Sequence, residues 1–290
     1  MLLTSAIISG LGLGSMYGLI ALGYHVTYAV SNTVNFAQGS ALMLGAVLGY
    51  TFAVTFGWPM PIAILTALTA CALFGLLVER ALVRPFVVRG SSSWLMATVA
   101  GGILINNVVM FTYGKEPRSF PSMFAVKSVS VFGTGVDPMQ LMIPVVSVAV
   151  AVALRLFSTR TRYGKALLAV VQNPDAARLM GINVRVAIAL SFAVSTALAG
   201  LAGLLIAPLF SVSAEMGTLF GIKAFAVAIL GGIGSATGVM LAGFIYGVTE
   251  ALVTTLLGSA YTQIIVFGIV ILSLAFLPNG LLGRSAVKKV

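Results

Sequence analysis

Six carboxylates, one histidine and one cysteine are the groups in 290 residues best suited to metal binding or to acid–base chemistry near neutral pH. A nucleophile needs a base within reach, and a metal needs several converging ligands. His25, Cys71, Glu79, Glu116, Asp137, Asp175, Glu215 and Glu250 are scattered without any such spacing, so no catalytic residue, no metal site and no enzymatic activity are predicted. A single cysteine excludes an intramolecular disulfide. No G-x-x-x-x-G-K-[ST] stretch is present, so the chain lacks that phosphate-cradling loop, and energy for any work must come from another subunit or a gradient.

The chemistry that remains is that of polar groups set in apolar runs. Asn32, Asn35 and Gln38 fall in Ser31-Asn-Thr-Val-Asn-Phe-Ala-Gln-Gly-Ser40, and Gly231, Gly232, Gly234, Ser235 and Thr237 in Leu230-Gly-Gly-Ile-Gly-Ser-Ala-Thr-Gly238. Both stretches interrupt a helix, and non-helical backbone at membrane depth needs a protein-lined or wet setting. Asn32, Asn35, Gln38, Gly231, Gly232, Gly234 and Ser235 are therefore candidates to line a pathway. Asn106 and Asn107 sit mid-run and are read as interhelical hydrogen-bonding groups. The lone His25 is read as packed or hydrogen-bonded rather than as a proton relay. Glu215 and Lys223 are read as solvated charges at helix ends, and Glu250 as lying toward the outer end of its helix.

A second feature is Val171-Gln-Asn-Pro-Asp-Ala-Ala-Arg-Leu-Met-Gly-Ile182. Asn173 suits an N-cap, Pro174 the first helical position, Asp175 the positive end of the dipole and Gly181 the stop. These residues define a two-turn helix. Ala176, Leu179 and Met180 share one face by the i, i+3, i+4 rule, with Asp175 and Arg178 pointing elsewhere. That face suits either docking onto a partner or lying on the membrane surface.

The elements that hold these groups follow from composition. Sixty per cent of residues are hydrophobic and 8% charged, against about a quarter charged in soluble domains. Charge-free runs cover 1–78, 90–114, 138–154, 186–214, 224–249 and 251–283. A spanning helix takes about 20 apolar residues, and stretches such as Val145–Leu154 are apolar on every side, unlike barrel strands. The fold class is all-α: a polytopic membrane protein with about eight or nine transmembrane helices, Gly-rich broken helices and a possible internal repeat, in one transmembrane domain over 1–290. The repeat is suggested by Gly39-Ser40-Ala41 with Gly45 and Gly49, against Gly234-Ser235-Ala236 with Gly238 and Gly243.

Basic residues gather at Arg80, Arg84 and Arg89, at Arg155, Arg160, Arg162, Lys165, Arg178 and Arg185, and at Arg284, Lys288 and Lys289. The positive-inside rule puts all three clusters in the cytoplasm and accounts for the net charge of +10 without nucleic acid. The loop 115–137 is then an extracytoplasmic connection. Three crossings between the second and third clusters would leave the C-terminus outside, so one run must break. The Gly231–Gly238 region is the place, with an entering segment near 217–230, a leaving helix near 238–257 and a last helix near 262–280. Breaks at 31–40 and 57–61 give the first run three crossings and an outside N-terminus; a further break near Gly23–His25 would reverse that side. The first twelve residues lack the positive n-region of a cleavable signal.

Asn173-Pro-Asp-Ala-Ala-Arg-Leu-Met-Gly-Ile182 resembles the cytoplasmic loop of permeases of the branched-chain amino acid ABC transporter family, LivH type. So do Gly14-Ser-Met-Tyr-Gly-Leu-Ile-Ala-Leu-Gly23, Asn35-Phe-Ala-Gln-Gly39 with Met43-Leu-Gly45, Lys223-Ala-Phe-Ala-Val-Ala-Ile-Leu-Gly-Gly-Ile-Gly-Ser235 and Pro278-Asn-Gly-Leu-Leu-Gly-Arg284. The matches run in order from residue 14 to 284. The family commonly has His where Gln38 stands.

The resemblance implies a multi-pass subunit of a bacterial-type inner membrane with a cytoplasmic C-terminus. It implies a second homologous permease subunit as partner in a heterodimer, two cytoplasmic ATP-binding subunits and an extracytoplasmic solute-binding protein. It implies no cofactor on this chain, with ATP and Mg on the ATPase partners. It assigns Asn173, Pro174, Asp175, Ala176, Ala177, Leu179, Met180 and Gly181 to ATPase coupling, within a cytoplasmic segment of about 158–186. The implied solutes are leucine, isoleucine and valine, with urea or short amides as the alternative in the same family. A self-contained ion-coupled transporter is the rival reading, and it normally needs ionisable or cation-coordinating groups at mid-membrane.

Overall fold

Inside a bilayer a backbone must satisfy its own hydrogen bonds, which leaves helices for runs as uniformly apolar as these. The computed structural model of the chain describes residues 2–121, 129–131 and 134–283. Its helices are α1 (Leu2–Ser31), α2 (Gln38–Tyr50), α3 (Met60–Leu77), α4 (Arg84–Val87), α5 (Trp94–Tyr113), α6 (Pro138–Arg160), α7 (Arg162–Gln172), α8 (Pro174–Leu179), α9 (Val184–Ile206), α10 (Met216–Gly231), α11 (Ala236–Leu257) and α12 (Ser259–Phe276). α2 continues into a π-helical stretch at Thr51–Thr55, and α3 into another at Val78–Val83.

Among the described residues eight helices are long and apolar enough to cross a membrane, and α10 is a shorter apolar ninth. The all-α membrane fold is thus as expected. α1 runs unbroken through Gly23–His25, so the first run holds three helices. The loop 115–137 contains more than a plain connection: β1 (Val129–Val131) pairs antiparallel with β2 (Thr134–Val136), Ser130 opposite Gly135. Gly133, Arg284, Lys288 and Lys289 lie outside the described residues.

The contacts group into two compact units. The first comprises the described residues of Met1–His25, Met123–Ala151 and Lys223–Val290. In it α1 and α11 cross at backbone contact: a Cβ on Gly14 would lie 2.5 Å from the Gly243 carbonyl oxygen. Small residues at such positions let membrane helices approach closely.

The second unit comprises the described residues of Val26–Ser122 and Val152–Ile222. Here α2 lies against α9, with a Cβ on Gly203 only 2.0 Å from the Leu42 carbonyl oxygen. Arg118 pairs with Val212 through two backbone hydrogen bonds of 3.0 and 2.8 Å, and its guanidinium stacks 4.4 Å from the Tyr113 ring. Buried Glu79 takes a two-pronged hydrogen bond from Arg84 at 2.9 and 2.7 Å. Ile188 packs both on the cluster Ala37, Val78, Val83 and Phe192 and on the cluster Val30, Val170, Ala177, Val184 and Ala187. The segment carrying Arg80, Arg84 and Arg89 and the α8–α9 junction therefore share one end of this unit.

Candidate functional site

In the second unit, α8 forms for the reasons its residues dictate. Asn173 Oδ1 accepts from the backbone N–H groups of Asp175 and Ala176 at 3.1 and 3.0 Å, satisfying two donors a helix start leaves open. Pro174 occupies the first turn, and Gly181 ends the segment at φ +80°, which glycine adopts without steric cost. Asp175 and Arg178 pair on the exposed side at 3.1 Å. Ala177 is buried against Val30, Val170, Val184 and Ala187. Ala176 is exposed, and Leu179 and Met180 are 91% and 83% exposed. α8 thus has an anchoring side that holds α7, α9 and the end of α1, and a free apolar side. Beside it opens a cleft of about 370 Å³ lined by Arg178, Gly181, Ile182, Asn183, Val184 and Arg185.

The first break belongs to the same unit. Asn32 ends α1 at φ +52°, a left-handed conformation that asparagine tolerates better than most residues. Asn35 is fully buried, and its Oδ1 accepts from the Ala37 N–H at 3.0 Å. Gln38 is fully buried at the start of α2; its Nε2 donates to the Ser195 carbonyl oxygen at 2.9 Å, and the Ser195 hydroxyl donates back to Oε1 at 3.0 Å. In this conformation Gln38 ties α2 to α9. Asn106 donates to Thr218 of α10 at 3.4 Å, as an interhelical group should, whereas Asn107, against expectation, is exposed and among the described residues bonds to the Ile103 carbonyl of its own helix.

The second break lies in the first unit. Gly231 packs on Gly238, Gly232 turns the chain at φ +85°, Gly234 has open space around it, and Ser235 caps α11 by accepting from the Gly238 N–H at 3.2 Å. Two contacts hold it from outside. His25 Nδ1 lies 2.8 Å from the Ile233 carbonyl oxygen, and the N–H groups of Leu281 and Leu282, just past α12, donate to the carbonyls of Leu230 and Gly231 at 2.8 and 3.3 Å. The break is therefore level with the end of α12.

Lys223 is not a solvated helix-end charge: it sits near the middle of α10, is 7% exposed, and donates to a carboxylate oxygen of Glu250, which is 8% exposed in α11. Its Nζ also lies 3.4 Å from the Tyr17 hydroxyl of α1, and Tyr17 meets Tyr246 edge-to-face at 5.4 Å. Counting charge-free runs treats each charge as a run boundary, and so places it at a helix end. Yet a run flanked by Lys223 and Glu250 and broken in its middle must fold back, which brings its two ends together. That signal was present. Glu215, by contrast, is exposed just before α10, as expected.

Compared with known proteins, residues 6–274 match the family model described as branched-chain amino acid transport system / permease component. The high-affinity branched-chain amino acid transport system permease protein BraD of Pseudomonas aeruginosa is 36% identical, over 98% of this chain and 97% of its own length. LivH of Escherichia coli, a permease protein of the same description, is 34% identical over 97% and 96%. LivM of E. coli, again so described, is 29% identical over 92% of this chain and 68% of its own. No solved structure matches the chain.

Proposed function

We infer, from the fact that this chain belongs to the permease family of branched-chain amino acid transport systems, that it is a membrane-spanning subunit of an ATP-driven importer of leucine, isoleucine and valine. The observation that carries this reading is similarity over nearly the full length of chains that are themselves such permeases. The helices provide the crossing; ATP and Mg belong on two separate cytoplasmic subunits. An extracytoplasmic binding protein delivers the solute, and a second permease completes the pair. That E. coli has two permease proteins of one system description, LivH and LivM, both similar to this chain, supports a heterodimer.

The coupling element is α8, with Asn173, Pro174, Asp175 and Gly181 setting its geometry and Ala176, Leu179 and Met180 meeting the ATPase. Ala177 passes movement on, since it packs on Val30 and on Val184 and Ala187 of α9, and α9 holds α2 through Ser195 and Gln38. ATP binding shifts the transporter by binding one state more tightly than the other, and this contact conveys the difference. Asn32, Asn35 and Gln38 in the second unit, and Gly231, Gly232, Gly234 and Ser235 in the first, are each candidates to line the pathway, because non-helical backbone at membrane depth needs a protein-lined or wet setting. Basic segments at one end of the second unit face the cytoplasm of a bacterial inner membrane. By the same rule the basic tail puts the C-terminus in the cytoplasm, and three crossings before the first basic cluster put the N-terminus outside.

The test is competition in the complete importer. Labelled leucine uptake should be suppressed by excess isoleucine or valine and untouched by urea or acetamide. Suppression by the amides alone contradicts the assignment of substrate.

A further inference from the structure

Lys223 and Glu250 form, among the described residues, the one ion pair with both partners buried in apolar helices; in the pair of Glu79 and Arg84 the arginine side chain is 37% exposed. Charges inside a membrane protein are costly, and they persist where they are paired and put to use. Stability does not account for this pair, because well-packed apolar residues of similar volume hold helices together as well or better. The two groups offer an ammonium and a carboxylate side by side, with no net charge. An α-amino acid carries the same two groups on one carbon. Glu250 Oε2 has no hydrogen-bond partner among the described residues, so the carboxylate keeps an acceptor oxygen in hand. The Tyr17 hydroxyl stands 3.4 Å from the ammonium, and the rings of Tyr17 and Tyr246 supply apolar surface.

We propose that Lys223 and Glu250 recognise the zwitterionic head of the solute, Lys223 taking its α-carboxylate and Glu250 its α-ammonium. The proposal rests on the reading of the chain as an amino-acid permease. In the conformation described the two side chains neutralise each other. When the zwitterion arrives, each exchanges its protein partner for a charge on the solute, and no charge is left unpaired before or after. That exchange removes the main cost of separating a buried pair, which is the uncompensated charge left behind. A solute lacking either charge strands Lys223 or Glu250, and urea, which has neither, gains nothing from them.

The experiment measures binding of labelled L-leucine to the purified complex of this chain with its permease and ATPase partners, without the binding protein. Wild type should bind leucine at least ten-fold more tightly than 4-methylpentanoate or 3-methylbutylamine, which each lack one charge. The variant K223M/E250L should assemble and bind leucine at least ten-fold more weakly than wild type. K223E/E250K retains an ion pair with its charges exchanged, and it should lose leucine binding likewise. Leucine binding within two-fold of wild type in either assembled variant overturns the proposal, as does failure of both to assemble, which makes the pair a folding element. A wild-type importer that takes up leucine while its purified complex binds none also overturns it, and leaves the proposed function standing. A wild-type importer that carries urea and no leucine contradicts the function itself, and this proposal with it.

Discussion

Gln38 and Ser195 exchange two hydrogen bonds across 157 residues of sequence, amide to carbonyl at 2.9 Å and hydroxyl to amide oxygen at 3.0 Å. Both are fully buried, and they join the first residue of α2 to the middle of α9. Removing the Gln38 amide takes these two hydrogen bonds from a buried site, where a lost bond costs about 1–3 kcal/mol, and interhelical bonds in membranes sit toward the lower end of that range.

Gln38→Leu should therefore lower the stability of the detergent-solubilised protein by about 1–2 kcal/mol, read as a reduced unfolding midpoint. Ser195→Ala should cost less, because the Ser195 carbonyl still receives the amide. The double variant should be less destabilised than the sum of the singles, by ~0.5 kcal/mol or more. Strict additivity would mean that the pair does not act as a unit.

On α8, Met180→Asp should abolish co-purification with the ATPase partners and leave the chain's own unfolding midpoint within the scatter of the measurement, because Met180 is exposed. Ala177→Asp should instead unfold the segment, since it puts a charge into the cluster of Val30, Val170, Val184 and Ala187. Asn173→Ala should weaken α8 by about 1 kcal/mol through loss of the N-cap. ATPase association unaffected by Met180→Asp would remove α8 from the interface.

Leu281→Pro takes away the N–H that the Leu230 carbonyl accepts. Hydrogen exchange at the last turn of α10 should rise at least ten-fold, because a cap worth about 1.4 kcal/mol is a factor of ten in local opening. Unchanged protection there would show that the segment after α12 does not hold the break.

Much of the fold was legible because a bilayer leaves few choices. The breaks read at 31–40, 57–61 and 231–238 each overlap a gap between helices in the structure, and for the last of them parity demanded a break that the glycines placed. The short helix α8 was legible from capping chemistry, since Asn173, Pro174 and Gly181 act locally. What escaped was non-local. Nothing near Ser195 or Leu281 announces that one will hold Gln38 and the other will cap α10. Lys223 was misplaced because a charge looks like a boundary when each run is taken singly. The folded-back path of α10 and α11 makes Lys223 and Glu250 neighbours.

The glycines divide by surroundings that the sequence does not display. Gly203→Val should prevent folding, because the Cβ would lie 2.0 Å from the Leu42 carbonyl oxygen. Gly268→Ala, inside α12 with nothing within 4 Å of the added carbon, should raise stability by about 0.5–1 kcal/mol through helix propensity. Expression yield for the first and unfolding midpoint for the second are the readouts.

The most direct test of the account is the initial rate of labelled leucine uptake into proteoliposomes holding this chain, its permease and ATPase partners and the binding protein, measured with ATP or ADP at the ATPase side. Uptake is expected with ATP, with none in ADP and none by the chain alone under a sodium or proton gradient. Leucine uptake by the chain alone, driven by such a gradient, would contradict it.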